Sequence, residues 1–288
     1  MEKITVIGAG AMGKQIALQT ALCGFKVTLS DSSEEALAAA RSFSNEYLDG
    51  RIAKGKIAAE KKQSTLANLD FTTDLAVAVG DATIVIETII EKRDAKLAVF
   101  RQLDKLCRPD AILATNSSNI CGSELAAVTK RADHIINMHF FNPVLVMDLV
   151  ELVATSVIPE DVVQRALKFC KDIARTPVLI RKEIPGFVVN RIFRALTKEA
   201  ILLYENGYAS CADIDLAVTK ALGHPMGPFT LMDMAGVDVT YMARKDEYDQ
   251  TGVEAAKPPR TLEEMYKSGA WGKKAGRGFY TYPREEKK

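Results

Sequence analysis

Residues 134–154 contain a histidine and a glutamate that could act together as a general base. Two runs rich in Ile, Val, Leu and Met flank a short connection; His139 ends the first run and Glu151 lies in the second. The connection is too short for a helical crossover, so the runs are predicted to pair antiparallel. If they pair symmetrically about Leu145, His139 faces Glu151. Such a carboxylate would hold the imidazole in one tautomer and stabilise its charged form.

A purely structural interpretation of this pair also stays open. A histidine at a strand end is often a half-buried packing residue, and a contact between His and Glu can be a plain ion pair. The rest of the chain has to decide between the two interpretations.

The composition fits a globular protein of two domains. The chain has 288 residues, of which 48% are hydrophobic, and its formal net charge is +1. The apolar content is sufficient for full cores, and the balanced charge argues against broad binding to nucleic acid or to anionic membranes. No apolar run approaches the length of a spanning helix, and the first residues are typical of a strand instead of a signal peptide. We therefore expect a cytoplasmic protein with no nucleic-acid or membrane partner.

The cysteines predict reduced thiols and no metal site. They are odd in number, widely spread and free of Cys-x-x-Cys pairs, and only three histidines accompany them, so no zinc-ligand spacing occurs. Cys121 is interpreted as a packing residue, because nothing nearby in sequence would lower the pKa of its thiol. The five are Cys23, Cys107, Cys121, Cys170 and Cys211.

A glycine-rich loop near the N-terminus is typical of dinucleotide binding. Lys3–Ile7 is predicted to be a strand, the sequence Gly-Ala-Gly-Ala-Met-Gly follows at positions 8–13, and a helix is predicted from Met12 to Cys23. A second strand, Lys26–Ser30, ends at Asp31. A Gly-x-Gly-x-x-Gly motif between a strand and a helix, with an acid about 20 residues further on, predicts a Rossmann-type unit.

The residue types in this loop favour NAD. The first glycine makes a tight turn, the second lets a pyrophosphate approach the backbone, and the third lets helix and strand pack closely. Asp31 can accept both hydroxyls of the adenosine ribose and would repel a 2′-phosphate, and no arginine lies at 30–33 to receive one. The loop residues predicted to contact the cofactor are Gly8, Gly10, Met12 and Gly13.

The alternating pattern continues as far as residue 183 and predicts a doubly wound α/β domain over residues 1–183. Ala82–Glu87 and Ala111–Ala114 are apolar strands typical of a parallel sheet, with helices near 94–106 and 122–130. Ligands should bind beyond the carboxyl ends of the strands. Three segments fall there, namely the glycine loop, Thr88–Glu91 and Thr115–Asn119.

Residues 33–68 do not fit a minimal Rossmann unit and predict an inserted helical hairpin. A long helical stretch covers 33–47, and Gly50 and Gly55 are expected to break the pattern after it. A solvated basic face is the ordinary explanation for such charges, and a contact for a phosphate-bearing substrate arm is the alternative. The basic residues are Arg51, Lys54, Lys56, Lys61 and Lys62.

Residues 184–288 are predicted to form a helical C-terminal domain that closes the substrate cleft and forms a homodimer. A helix runs from Phe187 to about Asn206, and another starts at Ser210 and stops at Gly223. Broad apolar helix faces suggest a surface shared with a second subunit. Asn190 either makes a local backbone contact or points its amide into the cleft between the domains. Further helices are predicted near 229–235, 237–248 and 261–268.

In these motifs the chain resembles the (S)-3-hydroxyacyl-CoA dehydrogenases, in particular the short bacterial 3-hydroxybutyryl-CoA dehydrogenases. The resemblance runs from Ile4 to Tyr282, and several long motifs in the right order are far more specific than any one alone. The motifs are Gly8–Gly13, Ala114–Ser118, Met138–Pro143, Val150–Glu151, Pro185–Arg191, His224–Pro228 and Gly276–Tyr280.

The resemblance implies a role for each site residue. His139 corresponds to the catalytic base and Glu151 to its partner, while Ser118 and Asn190 match residues that hydrogen-bond the substrate. Many members read Asn-Thr-Ser-Ser where this chain reads Asn-Ser-Ser-Asn at 116–119, which leaves Ser117 as an alternative to Ser118. Lys54 matches a lysine that contacts CoA. Positions that contact NAD are Asp31, Glu91, Lys96, Asn142 and Lys274.

The implied reaction is reversible hydride transfer between NAD and C3 of a short 3-hydroxyacyl-CoA, in fatty acid or butyrate metabolism. One alternative is an NAD-dependent dehydrogenase of a small hydroxy acid or sugar acid, which would not need the basic hairpin. Another is a dinucleotide-binding protein without turnover. The presence of His139, Glu151, Ser118 and Asn190 together argues against the latter.

Overall fold

The computed structural model describes residues 2–283. The chain divides into two compact units, Met1–Phe187 and Val188–Lys288. The first is an α/β unit and the second is helical, which confirms the predicted fold class. No helix within the described residues is both long and apolar enough to cross a membrane.

The first unit is built on an eight-stranded sheet with the order β3-β2-β1-β4-β5-β6-β7-β8. Neighbouring strands are parallel except β6 and β7, which are antiparallel. The strands are β1 (Lys3–Ile7), β2 (Lys26–Ser30), β3 (Leu69–Thr72), β4 (Ile84–Glu87), β5 (Ile112–Thr115), β6 (Ile135–Phe140), β7 (Leu149–Val153) and β8 (Thr176–Ile180).

Helices cover both faces of this sheet. Ile84 and Ile86 of β4 belong to one core cluster, and Val85 between them belongs to another. Because successive strand residues point to opposite faces, the two clusters lie on opposite sides of the sheet. The helices are α1 (Gly13–Leu22), α2 (Glu34–Ala53), α3 (Ala59–Leu66), α4 (Leu75–Val79), α5 (Arg93–Leu106), α6 (Gly122–Ala126) and α7 (Glu160–Asp172).

The predicted helical hairpin is present as α2 and α3, but the expected break at Gly50 is wrong. Helix α2 continues through Gly50, and the chain leaves it before Gly55, where φ is +62°. An interior glycine costs a helix only about 1 kcal/mol, and α2 offsets this by burying Leu37 and Leu48 and by its Ser33 cap. The predicted helix at 122–130 is also too long, since α6 ends at Ala126.

The second unit consists of helices whose boundaries follow the predicted signals closely. The Ser210 side chain accepts a hydrogen bond from Asp213 N at the start of α9, and Gly223 (φ +70°) ends that helix. The first helix begins at Val189, later than predicted, because Phe187 adopts a positive φ of 44°. The helices are α8 (Val189–Glu205), α9 (Cys211–Leu222), α10 (Pro228–Ala235), α11 (Val237–Thr251) and α12 (Arg260–Lys267).

Two buried aspartates fix the C-terminal aromatic segment within the second unit. Asp215 accepts hydrogen bonds from Phe229 N at 2.8 Å and from the Tyr280 hydroxyl at 2.9 Å. Asp233 accepts from Phe279 N and Tyr280 N, both at 2.9 Å. Burial raises the pKa of the Tyr280 hydroxyl, and its bond to Asp215 adds to this effect. The Gly-x-Gly-Phe-Tyr motif thus has a structural role here.

Candidate active site

The glycine loop lies between β1 and α1 and leaves room for a dinucleotide. Gly8 has φ of +99°, and a Cβ on Gly13 would overlap the Gly8 carbonyl oxygen and the Thr88 hydroxyl. A Cβ on Gly10 would meet nothing within 4 Å, so the space beside it is open. No side chain caps the start of α1, although Lys14 N and Gln15 N already donate to backbone carbonyl oxygens of the loop. A phosphate oxygen could be bound by the N–H groups of the loop that precede them. Met12 packs partly against the core beside the loop.

Asp31 places a carboxylate beside this loop. It follows β2 directly, its Oδ2 accepts a hydrogen bond from Ala9 N at 2.7 Å, and its Oδ1 accepts one from Ser33 N at 2.9 Å. The negative charge is therefore held at the carboxyl end of the strand, next to the glycines. This is the position from which a carboxylate can bind ribose hydroxyls and repel a 2′-phosphate.

His139 and Glu151 face each other across β6 and β7, which confirms the pairing predicted about Leu145. His139 Nδ1 donates to Glu151 Oε2 at 2.9 Å, and the two side chains are only 5% and 1% exposed. With the proton on Nδ1, Nε2 has a free lone pair, and it accepts from Ser118 Oγ at 3.0 Å. The three residues can therefore orient one imidazole nitrogen as a base.

Two aromatic rings enclose this imidazole. The His139 ring centroid lies 4.6 Å from that of Phe141 and 5.5 Å from that of Phe187, which is fully buried. Gly186 N donates to the Ser118 carbonyl oxygen at 3.2 Å, which ties this segment to the site. The rings limit the access of water to His139 and strengthen its polar contacts.

The two serines after β5 make different contacts. Ser117 is buried, its hydroxyl donates to the Glu91 carboxylate, and its Oγ accepts from Ile120 N at 2.8 Å. Ser118 is half-buried and contacts His139. The serine run thus orders the following turn through Ser117 and meets the imidazole through Ser118.

A buried ion pair supports the same edge of the sheet. Lys96 Nζ binds Glu87 Oε1 at 2.7 Å and Glu91 Oε2 at 3.3 Å, while Glu87 Oε2 accepts from Thr115 Oγ1 at 2.7 Å. The Lys96 and Glu87 side chains are 1% and 0% exposed. Glu87 was not among the predicted site residues, although its place at the end of an apolar strand was a usable signal. Lys96 therefore holds the Glu91 carboxylate in place through an ion pair.

The remaining predicted residues belong to other segments of the first unit or to the second unit. Asn142 Oδ1 accepts from Gln15 Nε2 of α1 at 3.3 Å. Lys54 is exposed at the end of α2 on the hairpin. In the second unit, Asn190 lies in the first turn of α8, and Lys274 forms an ion pair of 2.7 Å with Asp238.

Cys121 is buried, as its interpretation as a packing residue predicts. Burial raises its pKa to about 11, and the Glu183 and Glu124 carboxylates act in the same direction. The thiolate that nucleophilic chemistry requires is therefore scarce at neutral pH.

Comparison with known proteins identifies related sequences over almost the whole chain. The model of the 3-hydroxyacyl-CoA dehydrogenase NAD-binding domain matches residues 3–184, and that of the C-terminal domain of the same enzymes matches residues 186–282. A 3-hydroxybutyryl-CoA dehydrogenase of Mycobacterium tuberculosis is 36% identical over 98% of this chain and 99% of its own length. Human mitochondrial hydroxyacyl-coenzyme A dehydrogenase is 37% identical over 98% of this chain and 91% of its own.

A solved structure shows the same similarity in three dimensions. The (S)-3-hydroxybutyryl-CoA dehydrogenase PaaH1 from Ralstonia eutropha superposes with a TM-score of 0.89 at 34% identity. The match covers 99% of this chain and 100% of the other. Sequence and fold therefore agree over both units.

Proposed function

The chain belongs to the NAD-dependent 3-hydroxyacyl-CoA dehydrogenase family, and on that premise we propose that it interconverts (S)-3-hydroxybutyryl-CoA and acetoacetyl-CoA. The observation that carries the proposal is the hydrogen-bonded series Glu151–His139–Ser118 in the unit that bears the glycine loop. A base with a fixed tautomer and a dinucleotide loop are what the oxidation of a secondary alcohol requires.

The proposed reaction transfers one proton and one hydride. In the oxidative direction His139 Nε2 takes the proton of the 3-hydroxyl, and in reduction it returns that proton to the oxygen. Bound NAD would supply the hydride acceptor for C3, and NADH the donor. Glu151 holds the Nδ1 proton and balances the charge that forms on the ring, while Ser118 positions the substrate oxygen. The fit of Gly13, Gly10 and Asp31 to a dinucleotide supports this arrangement.

The proposal extends to residues that the family resemblance suggests. Asn190 would hydrogen-bond the thioester carbonyl, and Lys274 and Asn142 would contact NAD. Glu91 would contact the coenzyme with Lys96 holding it in place, which the buried ion pairs support. We also propose a homodimer formed through the second unit, supported by exposed apolar side chains on its helices. These include Ile192, Leu216, Leu222 and Val239.

The site of action is proposed to be the cytoplasm. All five cysteines are free thiols, and burial raises the pKa of Cys107 and of Cys211 to about 11. Unpaired cysteines are typical of proteins in a reducing compartment.

Turnover of acetoacetyl-CoA with NADH tests the proposal directly. Loss of nicotinamide absorbance on mixing both with the protein is the expected result, with formation of the (S) product on a chiral column. A small hydroxy acid dehydrogenase would ignore acetoacetyl-CoA and oxidise free hydroxy acids, and a protein without turnover would do neither. Either of these outcomes would refute the proposal.

Asp31 is expected to determine the preference for NADH over NADPH. Replacing it by Ala removes a charged acceptor of ribose hydroxyls, worth about 1.5–3 kcal/mol, so kcat/KM for NADH should fall about 10- to 100-fold. The rate with NADPH should fall less or rise. Initial rates with both coenzymes measure this change, and Asp70→Ala, at an exposed position on β3, is the charge-matched control. Faster turnover of the unmodified protein with NADPH would refute the assignment.

Lys54 is expected to act on the CoA part of the substrate alone. Lys54→Gln removes one exposed phosphate contact, so KM for acetoacetyl-CoA should rise about fivefold, the effect of roughly 1 kcal/mol, with kcat unchanged. An acetoacetyl thioester of a short thiol lacks the phosphates, and its KM should not change. Lys105→Gln, at an exposed position on α5, is the control. An equal effect on both thioesters would exclude a role in CoA binding.

A further inference from the structure

The second unit contains a basic cavity that none of the proposed catalytic or coenzyme residues line. Its volume is about 180 Å³. Its walls come from α8 and α11 and from the segment that follows α11. The charged residues that line it are Arg191, Arg194, Lys198, Arg244 and Glu247.

Helix periodicity brings the charges together. Arg191, Arg194 and Lys198 are spaced so that they share one face of α8, and Arg244 and Glu247 share one face of α11. Arg194 Nη1 binds Glu247 Oε2 at 2.7 Å. Four cationic groups and one carboxylate thus line the cavity, and that carboxylate is paired with Arg194.

Arg244 is the unusual member of this group. It is 4% exposed, and its Nη2 donates to the Arg194 carbonyl oxygen at 3.0 Å and to Thr197 Oγ1 at 3.3 Å. Its Nε has no hydrogen-bond partner, and among the side chains that the structure describes none forms an ion pair with its guanidinium. Burial lowers the pKa of Arg244, and the charge of Arg194 lowers it further. The Glu247 carboxylate acts in the opposite direction, but it is paired with Arg194. A buried cation that is only partly compensated is costly, so the fold gains stability if an anion enters.

We propose that this cavity binds a phosphate-sized oxyanion, with Arg244 as its buried ligand and Lys198 and Arg191 at its entrance. A guanidinium presents donors in a planar fork that suits oxyanions, whereas neutral ligands would leave its charge uncompensated. A cavity needs about 10–15 Å³ to hold one water molecule, so a cavity of 180 Å³ accommodates an ion with several oxygens. Lys198 and Arg191 are exposed, which gives an ion a path from solvent.

Titration of the NADH-bound enzyme with inorganic phosphate tests this site. NADH occupies the glycine loop, so phosphate cannot bind there, and sodium chloride keeps the ionic strength constant. We expect one phosphate per chain by calorimetry. The melting temperature should rise by about 2–4 °C at ten times the dissociation constant and then increase further with the logarithm of the phosphate concentration. Arg244→Gln should abolish both effects.

Lys198→Gln is the variant to use if loss of the buried arginine prevents folding. It removes one charge at the exposed entrance and should weaken phosphate binding about fivefold. Lys220→Gln, on the exposed face of α9 and outside the cavity, is the charge-matched control and should bind phosphate as the unmodified protein does.

Two results would overturn the proposal. The first is that the unmodified protein does not bind phosphate, or that both cavity variants bind it as the unmodified protein does. The second is a change in the monomer–dimer equilibrium of Arg244→Gln by sedimentation, which would mean that a carboxylate of a second copy fills the cavity. Because binding and melting are measured instead of turnover, failure here is distinct from failure of the proposed dehydrogenase activity.

Discussion

Replacing His139 by Ala is expected to lower kcat for acetoacetyl-CoA reduction by about 10²–10⁴-fold while NADH binding stays unchanged. Nε2 is the only imidazole nitrogen left free by the bond from Nδ1 to Glu151, and Ser118 lies 3.0 Å from it. Without this ring, water must carry the proton in a site that Phe141 and Phe187 partly enclose. Initial rates measure kcat, and quenching of protein fluorescence measures NADH affinity.

The controls separate chemistry from folding. His139 is buried beside Glu151, so its removal takes one hydrogen-bond donor from a buried carboxylate, and His139→Gln keeps more of the side-chain volume. His134→Ala, at a partly exposed histidine just before β6, should behave as the unmodified protein. Wild-type-like turnover in a folded His139 variant would contradict the assignment of His139 as the base.

The central strands were predictable from the sequence and the edge strands were not. β4 and β5 are buried throughout, so each appears as an uninterrupted apolar run. β3 and β8 lie at the two ends of the sheet, where exposed and buried positions mix and no such run forms. β8 even contains Pro177, which an edge strand tolerates because one side of it needs no hydrogen bonds.

The same reasoning explains which parts of the site were predictable. Two apolar runs and a short connection predict the antiparallel pair, and the facing of His139 and Glu151 follows once the pair is taken as symmetric about Leu145. The pairing of Glu87 with Lys96 is a tertiary contact between a strand and a helix, and neither residue type signals it. The positive φ of Phe187 also has no signal, since residues with a Cβ rarely adopt it.

Glu151→Gln is expected to lower kcat by about 10²–10⁴-fold with little change in the affinity for NADH. The two side chains have nearly the same shape, so packing in a site where Glu151 is 1% exposed is retained. Gln carries no charge to balance the imidazolium, and if its amide donates to Nδ1, the proton moves to Nε2 and blocks the base. Glu151→Asp keeps the charge at a longer distance and should be intermediate. Glu160→Gln, at an exposed position on α7, is the control.

Combining the two changes tests whether Glu151 acts through His139. In His139→Ala/Glu151→Gln the imidazole that Glu151 orients is absent, so the double variant should be no slower than His139→Ala alone. Residues that act as one unit are non-additive in this way, whereas independent contributions multiply. If the double variant instead loses kcat by the product of the two single-variant losses, Glu151 acts independently of His139. The 2.9 Å bond to Nδ1 would then be a plain structural ion pair.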